Sequence, residues 1–516
     1  MRSAAPRAVR SAVGRRAVQS RSSLFSSGAS QSLSCRQSFT SSLGITGQTR
    51  TFSSTPSRRD DDKGDEPERQ WSTPLAKQLG AAISATGPVP LASYMRMCLT
   101  ADVGGYYTGA LEEGRDQFGL KGDFVTSPEI SQIFGELIGI WFVTEWMSQG
   151  KPASGVELIE VGPGRGTLMA DMLRTIQSFP KMANSIDAVY MVEASPELRE
   201  AQRKLLCGED ATLSESKVGW HSVCKNTSIP IVWTDTIKSI PNSPTKTPLI
   251  IAHEFFDALP IHAFQCVSVP VPPSPSSPPT NKTHLQWREL LVSPTPPGST
   301  HTTLRTPPSQ SHLTPPPDFQ LTLAQAPTRH ALYLPESSPR YRAIKSKTGE
   351  GAIIEICPDA ALAARIGGSP AHPKPHPRGA ALILDYGPGD GTVPTNSLRG
   401  IRRHARVSPF AEPGLTDLSA DVDFAGIAEA ALKASEGVEV HGPVEQGAWL
   451  RLMGGKERAE ALVRARPESK GAVEGAWGRL VDGGVNGMGR LYKVMAVVPE
   501  GGGRRRPVGF GGDVGE

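Results

Sequence analysis

The segment 156–167 constrains the fold of this chain more strongly than any other. Residues Val156–Val161 have the composition of a buried strand, and Gly-Pro-Gly-Arg-Gly follows them before a helical pattern opens at Thr167. Glycines at alternate positions permit a tight turn and let a ligand approach the backbone at the carboxyl end of a strand. The segment therefore predicts one strand–turn–helix unit of a parallel α/β sheet.

Four further short apolar runs predict the other strands of this sheet. They span 188–192, 229–233, 249–252 and 380–384. Such runs are typical of strands that are buried on both faces, and helix-forming or loop sequence separates them. The pattern predicts a doubly wound α/β fold with a helical segment before it.

The strongest helical pattern lies on the N-terminal side of the sheet. It begins at Ser127, which is suited to cap the helix, with Pro128 in the first helical position and Glu129 facing the positive helix end. Apolar residues then recur at helical spacing, namely Ile130, Ile133, Phe134, Leu137, Ile138, Trp141 and Val143. We therefore predict one helix that runs through this stripe.

The spacing of the glycines indicates which cofactor the turn binds. The pattern is G-x-G-x-G and not the G-x-G-x-x-G of dinucleotide enzymes, and Glu160 lies two residues before the first glycine. This combination is typical of S-adenosylmethionine sites, where the acid can meet the methionine ammonium directly or through water. We predict cofactor contacts at Glu160, Gly162, Pro163, Gly164 and Gly166.

Two more acids follow the second and third predicted strands. Glu193 is suited to accept both ribose hydroxyls, and Asp235 is suited to the adenine amino group. A single acid at a strand end is more often a helix cap or a solvated loop residue. Because three occur at successive strand ends, we predict that they line one cofactor crevice of a Rossmann-like S-adenosylmethionine-dependent methyltransferase.

The fourth predicted strand runs into His-Glu-Phe-Phe-Asp at 253–257. In methyltransferases this strand end faces the substrate nucleophile. Two carboxylates three residues apart, with aromatic rings between them, can orient a guanidinium and exclude water. We therefore predict His253, Glu254 and Asp257 as catalytic residues. The alternative is that Asp257 caps the next helix and the two phenylalanines belong to the core.

Charge is distributed unevenly along the chain. The net charge is +4, but residues 1–59 hold ten Arg, sixteen Ser and no Lys, Asp or Glu. This is the composition of a mitochondrial transit peptide, although a disordered basic tail or an RNA-binding arm has the same character. The rest of the chain has 45 Lys and Arg against 51 Asp and Glu, a balance that argues against a nucleic-acid partner.

Other features exclude several classes of protein. No run reaches 18 uncharged apolar residues, so no stable membrane insertion is expected. The six Cys form no C-x-x-C pair, so neither a disulfide framework nor a zinc site is supported and no metal is predicted. Residues 270–317 hold fourteen Pro, and within them only 285–292 predicts a strand. A proline-rich ligand for a binding domain is the alternative to disordered loops.

These features divide the chain into successive segments. We predict a transit peptide at 1–59, a linker at 60–74, an N-terminal helical cap or substrate segment at 75–155, a methyltransferase core at 156–267, Pro-rich disordered insertions around one strand at 268–318, the second part of the core with substrate-region elements at 319–498, and a disordered tail at 499–516.

Several unusual strings occur together in the order found in one known family. They are Gly105–Tyr107, Gly122–Ser131, Glu160–Gly166, Ala252–Pro260, Cys357–Ala360, Asp385–Gly387 and Ala420–Phe424. In these strings the chain resembles the MidA family of mitochondrial protein arginine methyltransferases, which act as complex I assembly factors. The similarity covers about 75–497 apart from the Pro-rich insertions, which lie outside the family pattern.

The resemblance implies an activity and a partner. The expected reaction is symmetric dimethylation of an arginine on a core subunit of complex I, in the mitochondrial matrix and early in assembly. The family string around Asp123, Phe124, Thr126, Ser127 and Pro128 lies before the sheet, and we assign it to a cofactor lid or substrate channel. The alternative function is a non-catalytic assembly chaperone with a methyltransferase fold, against which the intact glycine turn and Glu254 argue.

Overall fold

The computed structural model describes residues 69–109, 123, 125–241, 243–271, 282–304, 315–363, 378–485, 487–501 and 505–511. The predicted transit peptide, most of the predicted linker, Phe124, and residues 272–281 and 305–314 of the predicted Pro-rich insertions lie outside these residues. The part of the chain that the structure describes belongs to one compact unit, Glu68–Glu516.

The five predicted strands form the parallel centre of a nine-stranded mixed sheet. In chain order its strands are β2 (Val156–Val161), β3 (Ile186–Val192), β4 (Ser214–Glu215), β5 (Trp220–Val223), β6 (Pro230–Thr234), β7 (Thr247–His253), β12 (Ala380–Tyr386), β16 (Val438–Glu445) and β17 (Tyr492–Pro499). Their order across the sheet is β16-β17-β12-β7-β2-β3-β6-β5-β4, and β12, β7, β2, β3 and β6 are mutually parallel. The predicted α/β fold is confirmed.

Two further sheets accompany this one. An antiparallel sheet contains β1 (Val89–Pro90), β8 (His262–Pro270), β9 (Thr283–Pro294), β10 (Phe319–Leu323) and β11 (Ile353–Ile356), in the order β1-β9-β8-β11 with β10 also on β9. A small sheet contains β13 (Arg399–Arg402), β14 (Ala405–Val407) and β15 (Asp417–Ser419). The strand predicted at 285–292 is β9. Its observed bounds, Thr283–Pro294, extend beyond the predicted ones at both ends.

Helices pack against both faces of the main sheet and against the antiparallel sheet. They are α1 (Pro74–Thr86), α2 (Leu91–Thr100), α3 (Ser127–Ile130), α4 (Gln132–Ser148), α5 (Thr167–Ile176), α6 (Pro180–Ala183), α7 (Pro196–Cys207), α8 (Arg329–Tyr333), α9 (Pro339–Thr348), α10 (Pro358–Ala363), α11 (Phe424–Ala434), α12 (Gln446–Leu452), α13 (Gly455–Ala465), α14 (Lys470–Leu480) and α15 (Met488–Leu491). Short 3₁₀ turns occupy Ile237–Ser239, Leu334–Glu336 and Pro467–Ser469. Within the described residues, no helix combines the length and apolarity needed to span a bilayer.

Alternation along the central strands explains how both faces are packed. Leu158 and Leu249 point into the cluster that includes α4 and α5, whereas Ile159 and Ile250 point into the opposite cluster with Ala431 of α11. All six residues of β2 are buried. Such double burial requires apolar side chains at successive positions, and for this reason the strands could be recognised as uninterrupted runs.

The predicted start of the long helix is wrong in two respects. Thr126, not Ser127, is the N-cap and forms a capping box with Glu129, while Ser127 is the first helical residue. The helix also breaks at Ser131, which has an extended backbone and whose side chain caps α4. The result is a single turn, α3, followed by a separate long helix.

The described end of the predicted linker is packed against the antiparallel sheet. Arg69 donates hydrogen bonds to the carbonyl oxygens of Thr295 and Asp318, and Ser72 donates to the Asp318 carboxylate. Thr73 caps α1. Residues 69–73 therefore belong structurally to the folded unit.

The register of the parallel strands places their carboxyl ends at one edge of the sheet. Val161 pairs with both Val192 and Ala252, Val192 pairs with Thr234, and Leu384 pairs with His253. Side chains that follow β2, β3, β6, β7 and β12 therefore meet at this edge, where doubly wound folds bind their ligands.

Candidate functional site

The glycine turn after β2 adopts a backbone that requires glycine. Gly162, Gly164 and Gly166 have φ angles of +66°, +52° and +81°. A Cβ atom at Gly162 would lie 3.0 Å from Cδ2 of Phe255, so that position has little room for a side chain. Pro163 is buried within the turn. The turn therefore presents its backbone closely to the sheet edge, as the spacing of the glycines predicted.

One side chain that was not foreseen from the sequence holds the turn in place. Gln202 of α7 is fully buried, and its amide nitrogen donates to the carbonyl oxygen of Gly164 at 2.6 Å and to the Glu193 carboxylate at 3.1 Å. Its amide oxygen accepts from the indole N–H of Trp233 at 2.9 Å. Gln202 thus links the glycine turn, the end of β3 and β6.

Two buried carboxylates lie beside this turn. Glu160 is 2% exposed, and its Oε2 atom has no hydrogen-bond partner among the described residues. Burial, and then the charge of Glu193, raise the pKa of Glu160 to about 8. Burial likewise raises the pKa of Glu193 to about 7, although hydrogen bonds from Ser195 and Gln202 oppose the rise. A cation placed between these groups would stabilise their charged forms.

The third strand-end acid lies in a different environment. The Asp235 side chain is 72% exposed and forms an ion pair with Arg199 at 3.2 Å. It follows β6 at the same sheet edge as Glu193, because Val192 pairs with Thr234. Its exposure leaves it accessible to a ligand at the rim of the crevice.

These residues fit S-adenosylmethionine. The orphaned oxygen of Glu160 is suited to an ammonium group, and the positive φ angles of the three glycines let the turn approach a ligand through its backbone. Glu193 follows the neighbouring strand, β3, and can accept hydrogen bonds from hydroxyl groups.

The end of β7 carries the predicted catalytic carboxylates. Glu254 has a φ angle of +50°, an uncommon backbone for a residue with a side chain. Its Oε1 lies 3.1 Å from Nε2 of His253, without the alignment of a hydrogen bond. His253 is buried, and its ring lies 5.0 Å from that of Phe134. The left-handed turn directs the chain away from the sheet immediately after β7.

Asp385, at the end of β12, holds the segment that follows Glu254. Its Oδ2 atom accepts from the backbone N–H groups of Phe255, Phe256 and Asp257 at 3.2, 2.9 and 3.3 Å. Asp385 is fully buried. No helix follows Asp257 before β8, so the alternative in which Asp257 caps a helix is wrong. Phe256 does belong to the core, whereas Phe255 packs beside the glycine turn.

Asp257 is buried and receives a hydrogen bond from the Tyr386 hydroxyl. Burial raises the pKa of Asp257 to about 6; the Tyr386 hydrogen bond opposes this rise, and the nearby charge of Glu254 adds to it. Arg399 lies over the Tyr386 ring at 4.3 Å and pairs with Asp421 at 2.6 Å. Asp257 therefore sits beside polar partners that tune its protonation.

A cavity of about 1450 Å³ opens in front of these groups. Its carboxylates are Asp123, Glu254, Asp257, Asp390, Asp417, Asp421 and Glu445, and its basic side chains are Arg399, His404, Arg406, Arg479, Arg490 and Lys493. Tyr107 donates to Asp417 at 2.9 Å, and burial raises the pKa of Asp417 to about 7. The sequence motifs did not single out Asp417 as a site residue.

The predicted lid residues separate into two places. Asp123 is buried in the cavity wall, where it accepts from the Tyr106 hydroxyl at 2.8 Å and from the Arg403 backbone N–H at 2.7 Å. Thr126, Ser127 and Pro128 instead lie at the start of α3, which packs against α5. Phe124 lies outside the described residues.

The lid segment also contacts the cofactor turn directly. Glu129, in the first turn of α3, forms an ion pair with Arg165 of the glycine turn at 3.7 Å. The start of α3 therefore contacts the turn that follows β2, whereas Asp123 lines the cavity.

The whole chain was then compared with known proteins. A family model described as "putative S-adenosyl-L-methionine-dependent methyltransferase" matches residues 137–444, more than half of the chain. The chain belongs to this family. S-adenosylmethionine is therefore the cofactor of this chain, and the matched residues include the glycine turn, the end of β7 and Asp417.

Curated relatives extend the comparison beyond the family model. "Protein arginine methyltransferase NDUFAF7, mitochondrial" of Rattus norvegicus is 37% identical over 410 residues, covering 78% of this chain and 79% of the relative. Its Homo sapiens counterpart is 35% identical and covers 78% of both chains. The Drosophila melanogaster homolog is 35% identical over 82% of this chain and 85% of the relative. The methyltransferase is therefore placed in the mitochondrion, as the composition of 1–59 indicates.

A solved structure shares the fold. The crystal structure of a Burkholderia thailandensis protein bound to S-adenosyl-homocysteine aligns with a TM-score of 0.59 at 22% identity, and the alignment covers 85% of this chain and 92% of that chain. The similarity confirms the methyltransferase architecture predicted from the strand pattern.

Replacing Gln202 with leucine tests how much the turn depends on its buried hydrogen bonds. Leucine keeps similar volume but leaves the Trp233 indole N–H and the Glu193 carboxylate without this partner. Each lost buried bond costs about 1–3 kcal/mol, so we expect S-adenosylmethionine affinity to fall by about 10- to 100-fold. Calorimetric titration measures the affinity for S-adenosylmethionine. Gln149→Leu is the control, because it removes hydrogen bonds to Gly379, away from the turn. Equal affinity in both variants would contradict the role of Gln202.

Proposed function

We propose that this methyltransferase modifies protein arginine, forming symmetric dimethylarginine on a core subunit of complex I in the mitochondrial matrix, and that complex I assembly requires this step. The curated relatives named as protein arginine methyltransferases support the reaction. The observation that carries the proposal is the pair Glu254 and Asp257, which line one cavity next to the end of β7.

The chemistry of a guanidinium matches this pair. Guanidinium is planar, cationic and rich in N–H donors, so it binds best where carboxylates accept from more than one nitrogen. Asp257 and Glu254 supply acceptors within a cavity that Tyr107, Tyr386 and Tyr492 also line. A lysine ammonium lacks the planar fork of N–H donors with which a guanidinium can contact two carboxylates.

The cofactor contributes one thing to the reaction: when bound, it supplies an electrophilic methyl group. Glu160 would hold its ammonium group, Glu193 its ribose hydroxyls and Asp235 its adenine amino group. The glycine turn would approach its methionine portion through backbone alone. The lid segment, tied to the turn through Glu129 and Arg165, would restrict water from this side.

The catalytic work of the chain is positioning and proton acceptance. Glu254, on its left-handed backbone at the end of β7, would orient the reacting nitrogen of the substrate. Asp257 would stabilise the delocalised charge of the guanidinium, and one of the two carboxylates would accept the proton released as the new N–C bond forms. Asp385 keeps both carboxylates in place through the three backbone N–H groups that it accepts from.

The proposed reaction is tested with the full-length protein, isotopically labelled S-adenosylmethionine and purified core subunits of complex I. We expect label on one arginine, and fragmentation mass spectrometry should show one methyl group on each terminal nitrogen. Two methyl groups on the same nitrogen would overturn the symmetric product. Tight donor binding without transfer to any subunit would instead support a non-catalytic assembly chaperone.

The pH dependence of the reaction should report the burial of Asp257. An ionised carboxylate binds the cationic substrate, and its pKa is about 6 rather than 3.8, so kcat/KM should fall as pH drops through about 6. Tyr386→Phe removes a hydrogen bond that favours the ionised form and should move this acidic limb to higher pH. The exposed Tyr333→Phe is the control. A limb that stays in place in Tyr386→Phe would refute the assignment.

A further inference from the structure

A second cluster of titratable side chains lies in the antiparallel sheet, outside the methyltransferase cavity. It consists of His262 at the start of β8, Glu289 in the middle of β9 and His330 in α8. None of the three lines the cavity at the end of β7. The methyltransferase mechanism uses none of them, so the cluster needs its own explanation.

The geometry of the cluster suits a metal ion. Nδ1 of His262 lies 2.7 Å and Nδ1 of His330 lies 3.6 Å from the same Glu289 oxygen, Oε1. One ligand atom from each residue lies within 4.8 Å of the others, and the two imidazole rings are 4.2 Å apart. Ligand atoms at about 2.0–2.2 Å from one tetrahedral ion lie about 3.3–3.6 Å from one another, which matches the distance between His330 Nδ1 and the Glu289 oxygen. His262 and Glu289, now 2.7 Å apart, would move slightly apart to admit the ion, and His330 can adjust because its side chain is 48% exposed.

Glu289 is a buried anion without a formal cation beside it. Its side chain is completely buried, and within the described residues it has no ion pair with lysine or arginine. A buried carboxylate is costly unless a positive charge compensates it. The Glu289 carboxylate oxygens instead contact the His262 ring and the Thr328 hydroxyl. A metal ion held between the two histidines would supply the missing positive charge.

Thr328 connects the carboxylate to the helix that carries the second histidine. Its hydroxyl donates to Oε2 of Glu289 and accepts from the backbone N–H of Ala331 at 3.1 Å, which caps α8. This leaves Oε1 of Glu289 directed at the two histidines. Metal sites commonly have such hydrogen bonds behind their ligands, because these bonds fix ligand orientation.

We propose that His262, Glu289 and His330 bind a divalent transition-metal ion, zinc on the basis of this donor set. Two imidazoles and one carboxylate are a known zinc ligand set that leaves a fourth position for water. The exposed side of His330 would give the ion access to solvent. The ion would join β8 and β9 to α8. The prediction that no metal binds rested on the cysteines, and these three ligands are too far apart in sequence to form a recognisable motif.

The test uses the full-length protein without a histidine tag, stripped of metal by a chelator and titrated calorimetrically with zinc chloride. We expect one tight zinc site per chain, and His330→Ala should weaken it by about 10-fold or more. His284→Ala removes an exposed histidine from the same strand, outside the cluster, and should leave affinity unchanged. His330 is the primary target because it is partly exposed, whereas replacement of His262 or Glu289 can disturb folding.

A second measurement separates zinc binding at the cluster from nonspecific binding. Zinc that binds only the folded chain raises the unfolding midpoint, so the rise should occur in the unaltered protein and in His284→Ala and be lost in His330→Ala. Equal zinc affinity and equal thermal shifts in the two variants would overturn the proposal. Absence of a tight zinc site in the unaltered protein would also overturn it.

Discussion

Replacing Glu254 with glutamine is expected to lower kcat for arginine methylation by about 10²- to 10⁴-fold. The amide has nearly the same size and can remain on the left-handed backbone that Glu254 adopts, with φ at +50°. It carries no negative charge and accepts a proton poorly. The loss should therefore come from substrate charge stabilisation and proton acceptance and not from a change in the fold.

Two measurements distinguish these contributions. S-adenosylmethionine affinity, measured by calorimetry, should stay within about threefold, because in the proposed mechanism Glu254 contacts the substrate whereas Glu160 and the glycine turn hold the cofactor. Single-turnover transfer to the complex I subunit should show the loss in kcat. A variant that transfers methyl groups at the normal rate would refute the catalytic role.

Glu412→Gln is the matched control for this experiment. Glu412 also has a left-handed backbone, with φ at +47°, and it is partly buried in an ion pair with Arg402. It does not line the cavity. A loss of activity confined to Glu254→Gln would separate carboxylate chemistry from any effect of an amide at a left-handed position.

The strands of the central sheet could be predicted because burial on both faces is encoded by consecutive residues. A strand buried on both faces needs successive apolar residues, and Val156–Val161 was located to the residue while the others shifted by only a few positions at their ends. The acids that follow these strands were then brought together by parallel pairing, which places all carboxyl ends at one edge.

The missed residues act through contacts that no local pattern encodes. Gln202 lies on a largely polar helix, and its value depends on three partners, Gly164, Glu193 and Trp233, that the fold brings to it. Asp385 follows a predicted strand, yet nothing in sequence shows that it accepts from three N–H groups more than a hundred residues away. The only signal in the sequence was the position of Asp385 at the end of a predicted strand. This position indicates where the side chain lies but not what it binds.

The helix cap shows a different limit. Thr126 and Ser127 are adjacent and both are good N-cap residues, so composition alone does not choose between them. Glu129 decides, because a capping box places the acid three residues after the cap and thus selects Thr126. The spacing between Thr126 and Glu129 therefore identifies the cap. Placing Pro128 at the first helical position instead predicts Ser127 as the cap, one residue too late.

Replacing Gly162 with valine is expected to abolish useful binding of S-adenosylmethionine. The position has φ at +66°, and an added Cβ would approach the Phe255 ring to 3.0 Å. Strain of about 1–3 kcal/mol from the backbone and a clash within the turn would lower donor affinity by about 100-fold or more. Calorimetric titration with S-adenosylmethionine measures the loss.

Gly87→Val supplies the matched control. Gly87 also has a positive φ angle, but unlike Gly162 it has open space where a Cβ atom would be added. Its φ is +85°, no atom lies within 4 Å of an added Cβ, and it ends α1. Both variants should lose stability, which thermal unfolding measures, but only Gly162→Val should lose donor affinity. Equal donor affinity in the two variants would show that the turn does not form the cofactor site.

Gly162→Val also distinguishes the two candidate functions, methyl transfer and a non-catalytic assembly chaperone. If methyl transfer is what complex I assembly needs, cells that depend on Gly162→Val should accumulate assembly intermediates even when the folded variant reaches normal abundance. Gly87→Val should support assembly at equal abundance. Restoration of complex I by a Gly162→Val protein that binds no donor would refute the enzymatic requirement. The fold alone would then suffice for assembly, and the buried carboxylates around the crevice would serve to bind the client protein.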